Sequence, residues 1–210
     1  MTTATQSARI KPLDALAQQI RRCTKCPLHQ SRTIAVPGEG PVSAPIMFIG
    51  EAPGRQEDQA GRPFVGSAGK VLSDLLQKNG IARAACFITS VVKCRPPENR
   101  LPTGLEVTTC TTHYLAQQIT LINPKIIVLL GGVAAKTLLG ISRLGDSLGR
   151  LIEHEGRTYL ITHHPAAKFY RPQVAAQLDQ EFSALTRALK NLKRRQIRSL
   201  KAERSISRIG

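Results

Sequence analysis

The sequence predicts an α/β fold, a three-layer α/β/α sandwich around a central, mostly parallel four-stranded sheet. Three observations predict it. Four short apolar runs, at 45–50, 86–92, 124–131 and 157–165, have strand length. Segments with apolar residues at helical spacing separate them, the alternation that produces a parallel sheet covered on both faces. The first, second and fourth runs then open into long or unusual loops, and in such sheets ligands bind at the carboxyl ends of the strands. Those three loops can therefore converge on one site.

In chain order, residues 11–22 carry Leu13, Leu16 and Ile20 at helical spacing and end at Cys23. A Gly- and Pro-containing loop covers 27–45. PIMFIG (45–50) reads as a buried strand, and GEAPGRQEDQAGRPFVGSAG (50–69) as the glycine-rich loop after it. A helix over 68–79 closes at Gly80. CFITSVV (86–92) is the second strand and KCRPPENRLPTG its exit loop; a helix over about 105–122 follows, with Leu115, Ile119 and Ile122 on one face. PKIIVLLG (124–131) is apolar throughout and so buried on both faces, and 133–140 is a short helix. RTYLITHHP (157–165) is the fourth strand with its exit. The last helix, about 173–193, carries Val174, Leu178, Phe182, Leu185 and Leu189.

At 210 residues the chain suits one domain with a proper core, 1–192, followed by a basic and flexible tail, 193–210. From Lys190 onward, eight Lys and Arg residues face the single acid Glu203, a composition suited to a phosphate-binding arm. The formal charge of +16 points to a polyanionic partner, because each cation placed on a phosphate releases condensed counterions. Charge alone does not separate DNA, RNA and acidic membrane surfaces. No apolar run reaches about 18 residues, so no membrane span is expected. The first twenty residues show no apolar signal region, which leads us to expect a cytoplasmic protein; a monomer is expected as well.

Five cysteines without an export signal make a disulfide framework a poor explanation. Cys86 lies in apolar sequence and reads as a core thiol. The other four, Cys23-x2-Cys26, Cys94 and Cys110, sit among polar and basic residues. Thiolates without histidine suit zinc or an iron–sulfur cluster, and spacing alone leaves both open.

The glycine-rich loop 50–69, VVKCRPPENR (91–100), the order of the four cysteines and HHPAA (163–167) together resemble the family 4 uracil-DNA glycosylases. The similarity runs from about Cys23 to about Leu189. It implies a [4Fe–4S] cluster on Cys23, Cys26, Cys94 and Cys110. It implies DNA containing uracil or another deaminated base as partner, hence nucleoid association through DNA binding. It also implies a pocket for a base flipped out of the stack. By the same resemblance, Glu51 lies at the reaction centre, with backbone amides around Ala52 near the base, and Glu57 is the second acid. Phe64 stacks on the uracil ring, His164 hydrogen-bonds its O2, and Asn99 matches an active-site asparagine.

Hydrolysis of the N-glycosidic bond explains these residue types. A carboxylate such as Glu51 orients a water and stabilises the oxocarbenium-like sugar, and a donor at O2 stabilises the departing anion. A bifunctional lyase would need a pocket lysine, and Lys93 is the only motif candidate. One position departs from the family pattern. Ser90 stands where family members commonly have an asparagine that reads the Watson–Crick edge of uracil, and a serine cannot make that paired contact. The alternative reading is therefore an iron–sulfur DNA-binding protein with weak or altered-specificity glycosylase activity.

Overall fold

A computed structural model of the chain describes residues 3–206. Its elements are α1 (Thr3–Arg21), β1 (Ile46–Gly50), α2 (Arg55–Ala60), α3 (Ser67–Lys78), β2 (Cys86–Ser90), α4 (Gly104–Cys110), α5 (Ala116–Ile122), β3 (Ile126–Leu130), α6 (Gly132–Leu139), β4 (Leu151–His154), β5 (Arg157–Thr162) and α7 (Val174–Ile206). The sheet order is β2-β1-β3-β5-β4. The first four strands run parallel, and β4 pairs antiparallel with β5.

The expected α/β sandwich is present, with five strands where the sequence predicted four. The added strand is a hairpin arm. Glu155 and Gly156 both take positive φ, 47° and 72°, the backbone that a tight two-residue hairpin turn requires. They fold Leu151–His154 back along β5. This edge strand is mostly exposed, so it lacks the continuous apolar run that marked the other four. A short helix, α2, also interrupts the loop expected over 50–69. The helix expected over 105–122 is α4 and α5 joined by a π-helical turn at Thr111–Leu115. The last helix continues past 193 to Ile206, and most side chains beyond 192, with residues 207–210, lie outside the described residues. So does the flexibility expected of the tail. Among the described residues no helix is long and apolar enough to cross a membrane.

Strand alternation divides the core in two. Met47, Ile49, Phe87, Ile127, Leu129 and Ile161 pack on one face, against Leu16 and Ile20 of α1, Ile119 and Ile122 of α5, and Ala134 and Ala135 of α6. Ile46, Phe48, Ile88, Val128 and Leu160 pack on the other, against Val71, Leu72 and Leu76 of α3 and Leu178, Phe182 and Leu185 of α7. Cys86 is buried on the α3/α7 face, the core thiol expected from the sequence. Cys94 and Cys110 belong to the α1/α5 face. The same alternation puts Gly50 and Ser90, register partners at the carboxyl ends of β1 and β2, on the α3/α7 face.

Candidate active site

The loop after β1 is built to hold one ring. Phe64 takes a left-handed backbone, φ 52°, which a non-glycine residue keeps only when its surroundings fix it. Glu57 fixes one side: Oε1 accepts from the amides of Val65 and Gly66 at 2.9 and 2.8 Å, and Oε2 accepts from Gly54 at 3.1 Å. Arg83 fixes the other, donating to the carbonyls of Pro63 and Phe64 at 2.9 and 3.2 Å. Gly69 must be glycine, because a Cβ there would stand 1.9 Å from the Phe64 carbonyl oxygen. Asp58 is buried and accepts from the Thr33 amide with both oxygens, tying α2 to the segment before β1.

The ring so held lies over the end of the sheet. A Cβ on Gly50 would meet Phe64 Cζ at 2.7 Å and Cε2 at 2.9 Å, with Ser90 Oγ 3.5 Å away. Ser90, 6% exposed, therefore faces the space beneath the Phe64 ring edge. His164 enters from the loop after β5, its ring centroid 5.9 Å from that of Phe64. Its Cβ stands 3.0 Å from where Gly131 would carry one, so the turn after β3 admits the histidine only because it is glycine. The structure thus brings Phe64, Ser90 and His164 together.

Electrostatics fix the form of His164. Its Nδ1 accepts from the Ala166 amide at 3.2 Å, so in the neutral ring the proton sits on Nε2 and that atom is a donor. Burial lowers its pKa to about 4, with the Glu57 carboxylate pulling weakly upward, so the ring is neutral at physiological pH. The adjacent His163 is committed elsewhere. Its Nδ1 lies 2.6 Å from Glu181 Oε1, and its backbone amide donates to Oε2 at 2.9 Å. Glu181, buried on α7, thereby anchors the loop and leaves His164 as the one facing Phe64.

Glu51 and Ala52, both half-buried, follow β1 directly. The Glu51 carbonyl accepts from Val92, lacing the exits of β1 and β2 together. Burial alone raises the Glu51 carboxyl above the usual carboxylate range. Ala52 packs against the α1/α5 side of the core. Asn99 lies in an exposed turn in which Glu98 and Asn99 both have positive φ, and its Oδ1 accepts from Arg95 at 2.8 Å. The loop continues into α4 through Thr103 and Glu106, a reciprocal cap that also binds Arg100.

On the opposite face, Cys23, Cys26, Cys94 and Cys110 line one cavity with Ile20, Arg32, Lys93 and Tyr114. All four are free thiols. Donors already point at the sulfurs: Arg32 Nη1 lies 3.1 Å from Cys94 Sγ, the Lys93 amide 3.3 Å from Cys110 Sγ and the Lys25 amide 3.4 Å from Cys23 Sγ. The π-helical turn that follows Cys110 brings Tyr114 to the same cavity. No group of three or more His, Cys, Asp or Glu arranged to hold a metal ion occurs among the described residues. Four sulfurs around one cavity, with N–H donors aimed at them, nevertheless fit an iron–sulfur cluster, whose sulfurs take such hydrogen bonds.

Arg83, Glu181 and Gly50 escaped the sequence reading. Gly50 was visible as a strand-end glycine. Arg83 and Glu181 carry no local signal, since their roles depend on loops remote in sequence. Lys93 opens the exit loop after β2, and a lysine in such a basic segment is ordinarily exposed. It is instead 1% exposed, its Nζ donating to Thr89 Oγ1 and the Ser90 carbonyl at 2.7 and 2.6 Å.

Comparison with known proteins adds an independent line. The family model of the Uracil DNA glycosylase superfamily matches residues 37–193. A type-4 uracil-DNA glycosylase of Pyrobaculum aerophilum is 43% identical over 182 residues, 81% of this chain and 91% of that protein. One from Sulfurisphaera tokodaii is 43% identical over 185 residues, 82% and 83% of the two chains. One from Thermotoga maritima is 49% identical over 122 residues, 58% and 63%.

Proposed function

The chain belongs to the uracil-DNA glycosylase superfamily, and from that premise we propose that Phe64, Ser90 and His164 receive a uracil, or a related deaminated base, flipped out of DNA, whose N-glycosidic bond is then hydrolysed. It is a DNA glycosylase of base excision repair. The observation that carries the site assignment is His164: neutral, half-buried, and carrying its free proton on Nε2 beside the Phe64 ring.

The base stacks on Phe64, which is already held in place, so little ordering cost falls on binding. His164 Nε2–H donates to uracil O2, where negative charge grows as the bond breaks. A neutral histidine suits this step, since it stabilises the anion by a hydrogen bond without handing over a proton. Glu51, as carboxylate, orients the attacking water and faces the developing sugar cation. Its raised pKa reflects the desolvation that strengthens both effects. Glu57 is the second acid of the motif, and we assign it to holding the Phe64 loop, because both its oxygens already accept amide hydrogen bonds. Ala52 supplies backbone beside the base, and Asn99, the exposed member of the set, meets the bound nucleotide. Lys93 is pinned beneath the pocket wall, which favours the monofunctional reaction over a lysine-dependent lyase.

Cys23, Cys26, Cys94 and Cys110 would hold the [4Fe–4S] cluster. Bound there, it joins the segment after α1 to the loop after β2 and contributes folding free energy directly. The basic tail contacts phosphates outside the pocket, and the protein acts as a cytoplasmic monomer at the nucleoid. The test is release of free base from single- and double-stranded oligonucleotides carrying uracil, xanthine or hypoxanthine. Excision of at least one of them is expected, and release of none would overturn the reading. Ser90 favours a second reading within the same chemistry, a base range that departs from uracil alone.

A further inference from the structure

The mechanism above gives Lys93 no chemical step, yet its burial demands an explanation. Its ammonium is enclosed, and among the described residues it has no carboxylate partner. Thr89 Oγ1 and the Ser90 carbonyl supply two neutral acceptors. Hydrogen bonds of that kind do not cancel a buried unit charge, which is costly unless an opposite charge lies near. The four cysteines, whose cavity Lys93 lines, are the groups placed to supply that charge once ionised. Its own backbone amide donates to Cys110 Sγ at 3.3 Å. One residue therefore touches the cysteine cavity through its amide and the pocket wall through its side chain, since Ser90 closes β2 under the Phe64 ring.

We propose that Lys93 is the counter-charge of the four-cysteine site and its tie to the base pocket: the ammonium offsets the net negative charge of a thiolate-bound cluster while clamping the Ser90 carbonyl. This rests on the cluster assignment made above. Four thiolates around a [4Fe–4S] core of charge +2 leave a net −2, and hydrogen bonding and nearby charge are what set the stability and potential of such clusters. Without the cluster the same lysine is a buried charge facing neutral thiols. Lys93 thus stabilises the loaded protein and burdens the empty one.

The experiment compares wild type with Lys93→Met and Lys93→Gln. Iron and sulfide content, the rate of iron loss to a chelator and the reduction potential of the loaded proteins are measured, and then urea unfolding of the chelated, cluster-free forms. Both variants should lose iron at least tenfold faster and show a more negative potential, because a positive charge has been removed. The cluster-free Lys93→Met protein should resist urea at least as well as cluster-free wild type, a reversal that a merely structural lysine would not produce. Lys93→Gln keeps a donor toward Ser90 and serves if the methionine variant does not accumulate. Unchanged iron loss and potential in loaded variants overturn this inference alone. Wild-type protein that takes up no iron and sulfide overturns the cluster assignment, and this inference with it.

Discussion

Phe64 and His164 stand with ring centroids 5.9 Å apart and planes inclined by 31°, although one leaves β1 and the other leaves β5. The sheet order sets β1 and β5 on either side of β3, so their exit loops meet above its carboxyl end. Gly131, at that end, leaves room for the histidine. The contact is therefore a consequence of parallel topology plus a glycine, and each ring is held independently of the other, Phe64 by Glu57 and Arg83, His164 by the loop that Glu181 anchors.

Gly50→Ala should disturb that contact from beneath. The added methyl would lie within 2.9 Å of two Phe64 ring atoms. The Phe64 backbone is pinned by Glu57 and Arg83, so only the ring can yield. Overpacking of this kind costs about 1–3 kcal/mol. We expect a modest fall in thermal stability and a KM for base-containing DNA raised about tenfold by the same ~1.4 kcal/mol arithmetic, with a smaller effect on the single-turnover rate. An unchanged KM would mean that the ring does not stack on the base.

His164→Ala and Glu51→Gln should each slow single-turnover excision far more than they weaken DNA binding. In the proposed mechanism both groups act on charge that develops in the transition state, where one lost interaction costs about 2.7–4 kcal/mol. The pH profiles should differ in kind. With its pKa at about 4, His164 stays neutral across pH 5–8 and should contribute no acid limb there. Glu51, raised above its ordinary value, must lose its proton to act, so activity should climb with pH on an acid limb that Glu51→Gln abolishes. Folding linkage runs in the same window for the histidine. The unfolded chain, with an ordinary histidine near 6.5, binds the proton that folded His164 refuses until about pH 4, so stability should fall as pH drops between those values. His164→Ala should flatten that slope in urea titrations.

The sheet and the two faces of the core were legible because burial writes itself into apolar periodicity, as in Ile126–Leu130. β4 was not, because an exposed edge strand has no such signature, and its only local signal was the turn-forming Glu155-Gly156 pair. Phe64 could be found as an aromatic inside a polar loop. Glu57 could be placed as the second acid only through the family resemblance, and its hydrogen bonds emerge only when residues 54, 65 and 66 fold around it. The burial of Lys93 was hidden for a similar reason. A lysine in a basic segment reads as exposed until the strand beside it is seen to turn its side chain inward.

Cys94→Ala should bleach a broad absorbance near about 400 nm expected of a bound [4Fe–4S] cluster, and should lower the unfolding midpoint, since metal-site free energy is folding free energy. Cys94 is buried, and its sulfur also holds Arg32, whose second amine reaches the Arg21 carbonyl at the end of α1. The loss should therefore loosen α1 as well as remove iron. Cys86→Ala, on the other face, should keep the colour. Purified wild-type protein that is colourless and holds one zinc per chain would sink the cluster assignment.

Ser90→Asn should be the most informative substitution. Ser90 ends β2 beside Gly50, is 6% exposed, and points its hydroxyl into the space beneath the Phe64 ring. Uracil presents O4 as an acceptor and N3–H as a donor at that edge, and an asparagine amide can answer both where a single hydroxyl must leave one unmatched. A buried polar group without its partner costs about 1–3 kcal/mol, so the substitution should raise uracil excision by about one to two decades. It should also sharpen rejection of cytosine, whose donor and acceptor are exchanged. Single-turnover rates on uracil, cytosine, xanthine and hypoxanthine decide the matter. If Ser90→Asn gains on uracil and loses on another base, the serine is a specificity residue for that base. If every rate stays the same, Ser90 does not read the base, and recognition must come from His164 and the backbone around Ala52.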